Sequence, residues 1–506
     1  MIRPTFAEFV ELSRAGDLVP VSREFLFDAD TAVTAYAKLA ARDIEYSPSF
    51  GFLLESVVGG EQWARYTFLG TRPREVWRLE DGNRVSIWRP EEGWYEVGEL
   101  DDPLADLDAR VRARRPVEVS WLPRFWGGAV GYLGYDVVRS IESLPPGPPD
   151  DRGLPDGVLL FTDLVLAIDN LFGRAHAIAA VDLSGVASES ELRSRYDHAV
   201  QELDELIGVL EVMPGPVPLA LREDASPAEF ESSHTREDFE ADVRRIQGAI
   251  AQGEVEQAVV SQRLSVPLEA RPFDLYRALR SLNPSPYLFF LELDDLTLVG
   301  SSPEVLVRLE EGEVILRPIG GTRPRGVTPE EDEALIADLL ADEKELKEHE
   351  ILVELGRADL RKVTEEESIG VTDSLVIERY SHVLHLVSQL SGRLRSGLGA
   401  LDVFRASFPA GTVSGAPRLR AIELIDELEP VRRGPYAGAV GYFAYGGETM
   451  DMAIAIRTLV ASGGVAYLQA GAGIVAESDP GLEYAETLAK ARALLRILEL
   501  VPPPSE

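Results

Sequence analysis

From "REDFEADVRRIQGAIAQGEV" (236–255) to the C-terminus, helix-patterned and strand-patterned stretches alternate irregularly, and strands tend to neighbour strands. A doubly wound parallel sheet requires a regular strand–helix rhythm, because every parallel crossover consumes a helix. The pattern therefore selects an α/β chain of the α+β type, with antiparallel sheets covered by helices. At 506 residues the chain is too long for one ordinary core, so two or more lobes are expected. The stretch "PGPVPLALREDASPAEFESSHT" (214–235) is rich in Pro, Ser and Ala and poor in periodicity. It reads as a linker between an N-terminal lobe, 1–213, and a C-terminal lobe, 236–506.

Within the first lobe, "DADTAVTAYAKLA" has a helical rhythm, and "GFLLESVVGG" and "WARYTFLG" read as strands. "EVWRLEDGNRVSIWRP" predicts a hairpin turning at Asp81 and Gly82. A proline-rich loop (143–157) precedes "GVLLFTDLVLAIDNLFGRAHAIAAV", which reads as two buried strands ahead of a helix over "ESELRSRYDHAVQELDELIGVLEVM". "GAVGY" occurs at 128–132 and again at 438–442. That offset is far too long for a solenoid. The glycines read as close strand packing within each lobe rather than as a duplication.

Charge narrows the function. With 86 acidic against 50 basic residues the net charge is −36, a field that repels nucleic acid and anionic membranes. An anionic substrate would have to be recruited locally, by arginines, backbone N–H groups or a metal ion. There is no cysteine, which excludes disulfides, thiolate metal sites and a catalytic thiol. The N-terminus lacks the apolar core of a signal peptide, and no run of 18 apolar residues occurs, so the cytoplasm is the expected location.

Several segments carry possible chemistry. "VILRPIGGTRPRG" (314–326) reads either as an anion-binding turn or as a strand end with a basic flank. In "ADEKELKEHEILVELGRADL" the spacing of Leu346, Ile351, Leu352 and Leu355 supports a helix, continuous with Leu335 and Leu339, that puts Glu345 and Glu348 on one face. Glu483 and Glu486 form a second such pair in "GLEYAETLAKARALLRILEL", one turn before Lys490. Two carboxylate pairs converging on a hard cation would suit Mg²⁺, and two solvated helix faces are the alternative. His382 and His385 lack a third ligand at zinc spacing, so one functional histidine or one core histidine is expected. "SFPAGTVSGAPRLRAIELIDEL" runs from a glycine-rich loop into an amphipathic helix without the Lys-Ser/Thr of a phosphate loop. "YLQAGAGIVAES" carries Gly471 and Gly473 but no dinucleotide fingerprint.

Taken together, "NPSPYLFFLE", "LVGSSPEVLVR", "RPIGGTRPRG", "DEKELKEHEILVELGR", "ERYSHVLHLVSQLSG", "FPAGTVSGAPRLRAIELIDELEP", "RRGPYAGAVGYF", "AIAIRT" and "LQAGAGIVAESDPGLEYAETLAKARAL" resemble the chorismate-utilising enzymes. They look most like the large-subunit, component I family of anthranilate synthases. The resemblance implies a two-lobe fold of large antiparallel sheets flanked by helices, and the Mg²⁺-dependent conversion of chorismate and ammonia to anthranilate and pyruvate. It implies Glu348 and Glu486 as principal metal ligands with Glu345 and Glu483 beside them, Glu304 as general acid and His385 as catalytic histidine. Gly321, Thr322, Tyr436, Arg457, Gly473 and Lys490 match substrate-pocket positions. Gln257 stands where the water-activating branch of the family has a lysine, and Gly320 where the aminodeoxychorismate branch has a lysine that attacks the ring. Neither residue offers a base or an amine, which leaves free ammonia as nucleophile. Without a cysteine the chain cannot release ammonia from glutamine as the family's glutaminases do, so a separate glutamine amidotransferase subunit is the expected partner. The resemblance also implies feedback by tryptophan through Glu55, Ser56, Pro286 and Tyr287, weakened by Gln62 in place of a cation. Glu354, Ala358 and Arg361 depart from the family's Asp, Asn and Gly near the metal helix. An aminodeoxychorismate-type synthase and a non-catalytic regulatory homologue are the alternative readings.

Overall fold

The structure is a computed structural model, and it describes residues 2–43, 48–56, 65–379 and 383–504. Two large antiparallel sheets lie face to face, with helices on their outer sides. Alternation along the strands produces these layers. In the strand Phe50–Glu55, Phe50 and Phe52 enter the core shared by the two sheets, whereas Leu53 joins Tyr36 and Leu39 on the helical side. Across the shared core, Phe68 of one sheet meets Tyr442 of the other with ring centroids 5.9 Å apart.

Both sheets are built symmetrically from the two halves of the chain. In the first, the strand Phe50–Glu55 pairs with Tyr287–Leu293. Outward from that pair come Tyr66–Thr71, Leu164–Asp169, Arg174–Asp182 and Leu18–Leu26 on one side, and Leu296–Ser302, Thr458–Ser462, Val465–Ile474 and Gln257–Pro267 on the other. In the second sheet Gly128–Leu133 pairs with Ala439–Ala444. Its flanks are Gly157–Thr162, Glu75–Glu80, Arg84–Arg89 and Gly93–Glu99 against Met450–Ile454, Val305–Glu310, Glu313–Leu316 and Val383–Arg393. Strands from before residue 214 and after residue 235 thus share both sheets. The stretch between them is tied down by the Arg222 N–H donating to the Leu500 carbonyl and by Glu231–Ser232 pairing with Leu264 and Ser265.

The repeated "GAVGY" segments are the two central strands of the second sheet, and Gly131 stands opposite Gly441. A Cβ on either glycine would come 2.0 Å from a carbonyl oxygen, that of Val158 or of Asp451. Each of these carbonyls belongs to the glycine's own half, so the close packing expected within each lobe is present, and Gly128 and Gly438 add the same closeness across the halves, toward the Phe443 and Leu133 carbonyls at 2.1 and 2.3 Å.

The Asp81–Gly82 hairpin forms, with both residues at positive φ. Two expectations change. The segment from Gly157 to Val181 contains three strands, because Asn170–Gly173 turns the chain back at a point where the apolar run continues. The acidic helix around Glu345 is divided at Asp342 into Pro329–Ala341 and Glu343–Val363, since the Asp342 carboxylate accepts from the Lys344 and Glu345 N–H groups and starts a new helix there.

Candidate active site

The site lies in the second half of the chain, where the helices Glu343–Val363 and Pro480–Leu500 face the strands Ile319–Pro324, Val383–Arg393, Gln257–Pro267 and Val465–Ile474. The Asp342 cap fixes Glu345 in the first turn of its helix, and Glu348 follows one turn later. Bare backbone lets the strands approach these carboxylates. A Cβ on Gly321 would stand 3.2 Å from Glu345 Oε2, and one on Gly473 would stand 3.5 Å from Glu348 Oε1. Gly321 also has φ +62° at an irregularity in the strand pairing, a conformation natural to glycine. On the opposite helix, Asp479 caps the N-terminus, Glu483 is buried and Glu486 is half exposed.

Each glutamate has a present partner or neighbour. Gln257 Nε2 donates to Glu348 Oε1 at 3.0 Å. Lys490 Nζ pairs with Glu486 Oε1 at 2.7 Å and donates to the Gly471 carbonyl at 2.9 Å. Arg323 approaches Glu345 at 3.6 Å. Burial pushes the carboxyls of Glu345, Glu348 and Glu483 up, and repulsion from the neighbouring carboxylates adds to it. Among the described residues no three His, Cys, Asp or Glu side chains converge closely enough to hold a metal ion as they stand. The donor set is nevertheless all carboxylate oxygen, and Mg²⁺ is commonly held by only one or two carboxylates beside waters and substrate.

Glu304 sits between the strands Leu296–Ser302 and Val305–Glu310, 7% exposed, with its carbonyl bonded to the Ile454 N–H. Burial drives its carboxyl up to about 8, opposed by the Thr412 hydroxyl and the Lys490 charge. Thr412 escaped the sequence reading. Its hydroxyl is buried beside Glu304 and finds no other partner among the described residues. The signal was the glycine-rich loop itself. That loop folds against Gln257–Pro267, where a Cβ on Gly415 would lie 2.2 Å from the Gln257 carbonyl oxygen, so Gly415 serves backbone approach.

His385 pairs across the strands with Thr322. Burial and the nearby Arg457 charge depress its imidazole to about 4, with a hydrogen bond to the Gly321 backbone working the other way. Arg457 holds φ +51°, rare for a bulky residue, just before Thr458–Ser462, and burial lowers its pKa. Tyr436 is buried, its hydroxyl against the backbone of Gly471 and its pKa raised to about 12 by burial. The structure thus gathers the carboxylates, Glu304, His385, Gly321, Tyr436, Arg457, Gly473 and Lys490 in one region, and brings the Thr322 backbone with them. His382 lies outside the described residues. Glu354, Ala358 and Arg361 are exposed on the far face of their helix. The arginines of "RPIGGTRPRG" are held by protein carboxylates: Arg317 by Glu378, Arg323 by Asp338 and Asp342, and Arg325 by Asp332. A Cβ on Gly320 would stand 2.8 Å from His349 Nδ1.

Glu55, Ser56, Pro286 and Tyr287 line a second cavity of about 600 Å³ between the sheets. The Glu55 carboxylate is held by the Tyr276 hydroxyl at 2.5 Å and by Arg280 at 2.9 Å. Among the described residues the buried Ser56 hydroxyl has no hydrogen-bond partner. The Tyr287 hydroxyl donates to Asp451 at 2.9 Å, and Arg308 pairs with the same carboxylate at 2.5 Å. Gln62 lies outside the described residues. Among the described residues no helix is long and apolar enough to cross a membrane.

Comparison with known proteins identifies the family. Residues 59–496 match the family described as chorismate binding enzyme. Anthranilate synthase component 1 of Pseudomonas putida is 47% identical over 501 residues, covering 97% of this chain and 98% of that one. The Aquifex aeolicus protein of the same name is 42% identical over 494 residues, covering 97% of each. The crystal structure of anthranilate synthase component I from Streptococcus pneumoniae superposes with a TM-score of 0.73 at 37% identity, covering 87% of this chain and 94% of that one. The chain therefore belongs to the chorismate-binding enzymes and, within them, to the anthranilate synthase component I family.

Proposed function

We propose that this chain converts chorismate and ammonia to anthranilate, pyruvate and water. The observation that carries the reading is Glu304, a buried carboxyl held up to about 8 and so protonated at neutral pH, beside the pocket's glutamates, histidine and basic residues. Ammonia adds at ring carbon C2 while Glu304 gives its proton to the departing 4-hydroxyl, which leaves as water. Loss of the C2 proton and of the enolpyruvyl side chain as pyruvate then makes the ring aromatic. His385, neutral because its pKa is near 4, serves as a proton acceptor or uncharged hydrogen-bond partner. Arg457 and Tyr436 bind and orient the substrate's carboxylates. Glu348 and Glu486, with Glu345 and Glu483 beside them, would hold Mg²⁺, which when bound would supply positive charge to the ring carboxylate.

Gly320 and Gln257 support free ammonia as the nucleophile, since neither carries an amine or a base and a longer side chain at 320 would meet His349. A separate glutamine amidotransferase subunit supplies that ammonia, and the enzyme works in the cytoplasm. Tryptophan acts as feedback inhibitor in the cavity lined by Ser56, Pro286 and Tyr287.

The test is the purified chain with chorismate, Mg²⁺ and ammonium at alkaline pH, followed by anthranilate fluorescence and by pyruvate release. Both products appear if the reading holds. An amino-chorismate without pyruvate identifies an aminodeoxychorismate-type synthase, and no turnover identifies a non-catalytic homologue. Added tryptophan lowers the rate, and an unchanged rate at millimolar tryptophan removes the feedback assignment.

A further inference from the structure

Beneath the site lies a charged pair that this chemistry does not use. Arg433 and Glu429 are buried, their side chains 1% and 3% exposed. Burying two charges costs several kcal/mol per ion, and well-packed apolar residues often replace such a pair without loss of stability. Its geometry gives another reason for its presence. Arg433 Nε and one terminal nitrogen hold Glu429 at 2.9 and 2.6 Å. That same terminal nitrogen donates to the Val259 carbonyl, and the other to the Val413 carbonyl, both at 2.7 Å. Glu429 in turn accepts from the Ser261 N–H at 2.9 Å and from its hydroxyl at 2.7 Å. The Ser261 hydroxyl receives the Gln469 amide at 2.9 Å.

Apart from the Tyr135 ring, over which the guanidinium lies at 4.5 Å, the contacts of the pair end within two residues of the site. Val413 follows Thr412, whose hydroxyl faces Glu304. Val259 lies two residues from Gln257, which holds Glu348. Gln469 lies two residues from Gly471, which receives Lys490. The guanidinium also stands 5.6 Å from the centre of the Tyr436 ring. A guanidinium presents donors in a fixed planar fork, so one cation can hold three walls at set angles. We infer that Arg433, locked by Glu429, is a positioning residue that sets the glycine-rich loop, and with it Thr412, against Glu304 and the Gln257 strand. This rests on the proposed chemistry of the site.

The test uses the full-length protein with chorismate, Mg²⁺ and ammonium. Arg433→Lys keeps the charge and loses the fork. It is expected to lower kcat at least tenfold, because small misplacements at a reacting centre have effects of order 10², while the chorismate KM moves less than about threefold, as when transition-state rather than ground-state binding is lost. Thr412→Val lowers kcat as well. If Arg433 acts through the loop, the double variant is no more than about threefold worse than the poorer single one, since residues acting as a unit are non-additive. Multiplying effects, or a kcat for Arg433→Lys within twofold of the parent, overturn the inference. Should Arg433→Lys fail to fold, Ser261→Ala removes one hydroxyl from the same network. A threefold or larger fall in its kcat at unchanged melting temperature supports the inference, and an unchanged kcat overturns it. A parent enzyme that makes no anthranilate refutes the proposed function instead, a result distinguishable from either.

Discussion

Replacing Glu304 by glutamine separates the role of its proton from the role of its shape. Burial moves the carboxyl from an ordinary 4.5 to about 8. At 1.36 kcal/mol for each tenfold change in proton affinity, this amounts to about 5 kcal/mol in favour of the protonated form. Below pH 4.5 the group is neutral in both folded and unfolded chains and exerts no penalty. Between 4.5 and 8 the unfolded chain ionises while the folded one stays protonated, so this contribution to stability falls as pH rises, and it is lost once pH passes 8. Glutamine has the same shape and no charge at any pH. The difference in melting temperature, variant minus parent, should therefore widen from pH 5 to pH 9 by several degrees. Activity moves oppositely. The variant loses 10²-fold or more in kcat for want of the acid, and the parent's kcat/KM, expressed per free ammonia, declines about tenfold per pH unit above 8. Paired thermal melts and fluorescence rates across this range measure both effects. A constant gap in melting temperature refutes the burial argument, and a parent kcat/KM still rising at pH 9 refutes the assignment of Glu304 as the acid.

Three other perturbations probe separate parts of the structure. Gln257→Ala removes the amide that holds Glu348 and should raise the Mg²⁺ concentration for half-maximal turnover about tenfold, the usual effect of losing a ligand's supporting partner; an unchanged Mg²⁺ titration would discount that support. Glu486→Gln should abolish Mg²⁺-dependent turnover and leave the circular dichroism spectrum as it was, so retained activity would remove this metal assignment. Gly131→Ala would put a Cβ 2.0 Å from the Val158 carbonyl oxygen at the centre of the second sheet, and should destabilise the fold by about 3 kcal/mol. Urea denaturation with an unshifted midpoint would show that the strands can move apart.

How much of this was legible in the sequence depended on how far apart along the chain the interacting groups lie. The pairing of Glu345 with Glu348, and of Glu483 with Glu486, was readable because helical spacing is local. The break at Asp342 is local too, but leucines continue across it, and apolar periodicity outweighed one capping carboxylate. Thr412 and Arg433 were not readable as parts of a site. What gives them a role is proximity to Glu304, Val259 and Glu429, and no spacing rule encodes the long-range partners.

The two-fold arrangement of the strands was hidden for a further reason: the halves carry different residues at the positions that matter. Glu304 precedes the strand Val305–Glu310, and in the matching place Arg74 precedes Glu75–Glu80. Arg457 precedes Thr458–Ser462, and Asp163 precedes Leu164–Asp169. The charges are reversed. In the first half they cancel, with Arg74 and Asp163 paired at 3.0 Å and Tyr445 bonded to both. In the second half Glu304 is driven toward its neutral form by burial and makes no ion pair with Arg457 among the described residues. An ion pair satisfies its own charges and has no need of a ligand. A protonated acid and a guanidinium held apart remain able to meet an anionic substrate, which is why the proposed chemistry belongs to the half where the two charges do not cancel.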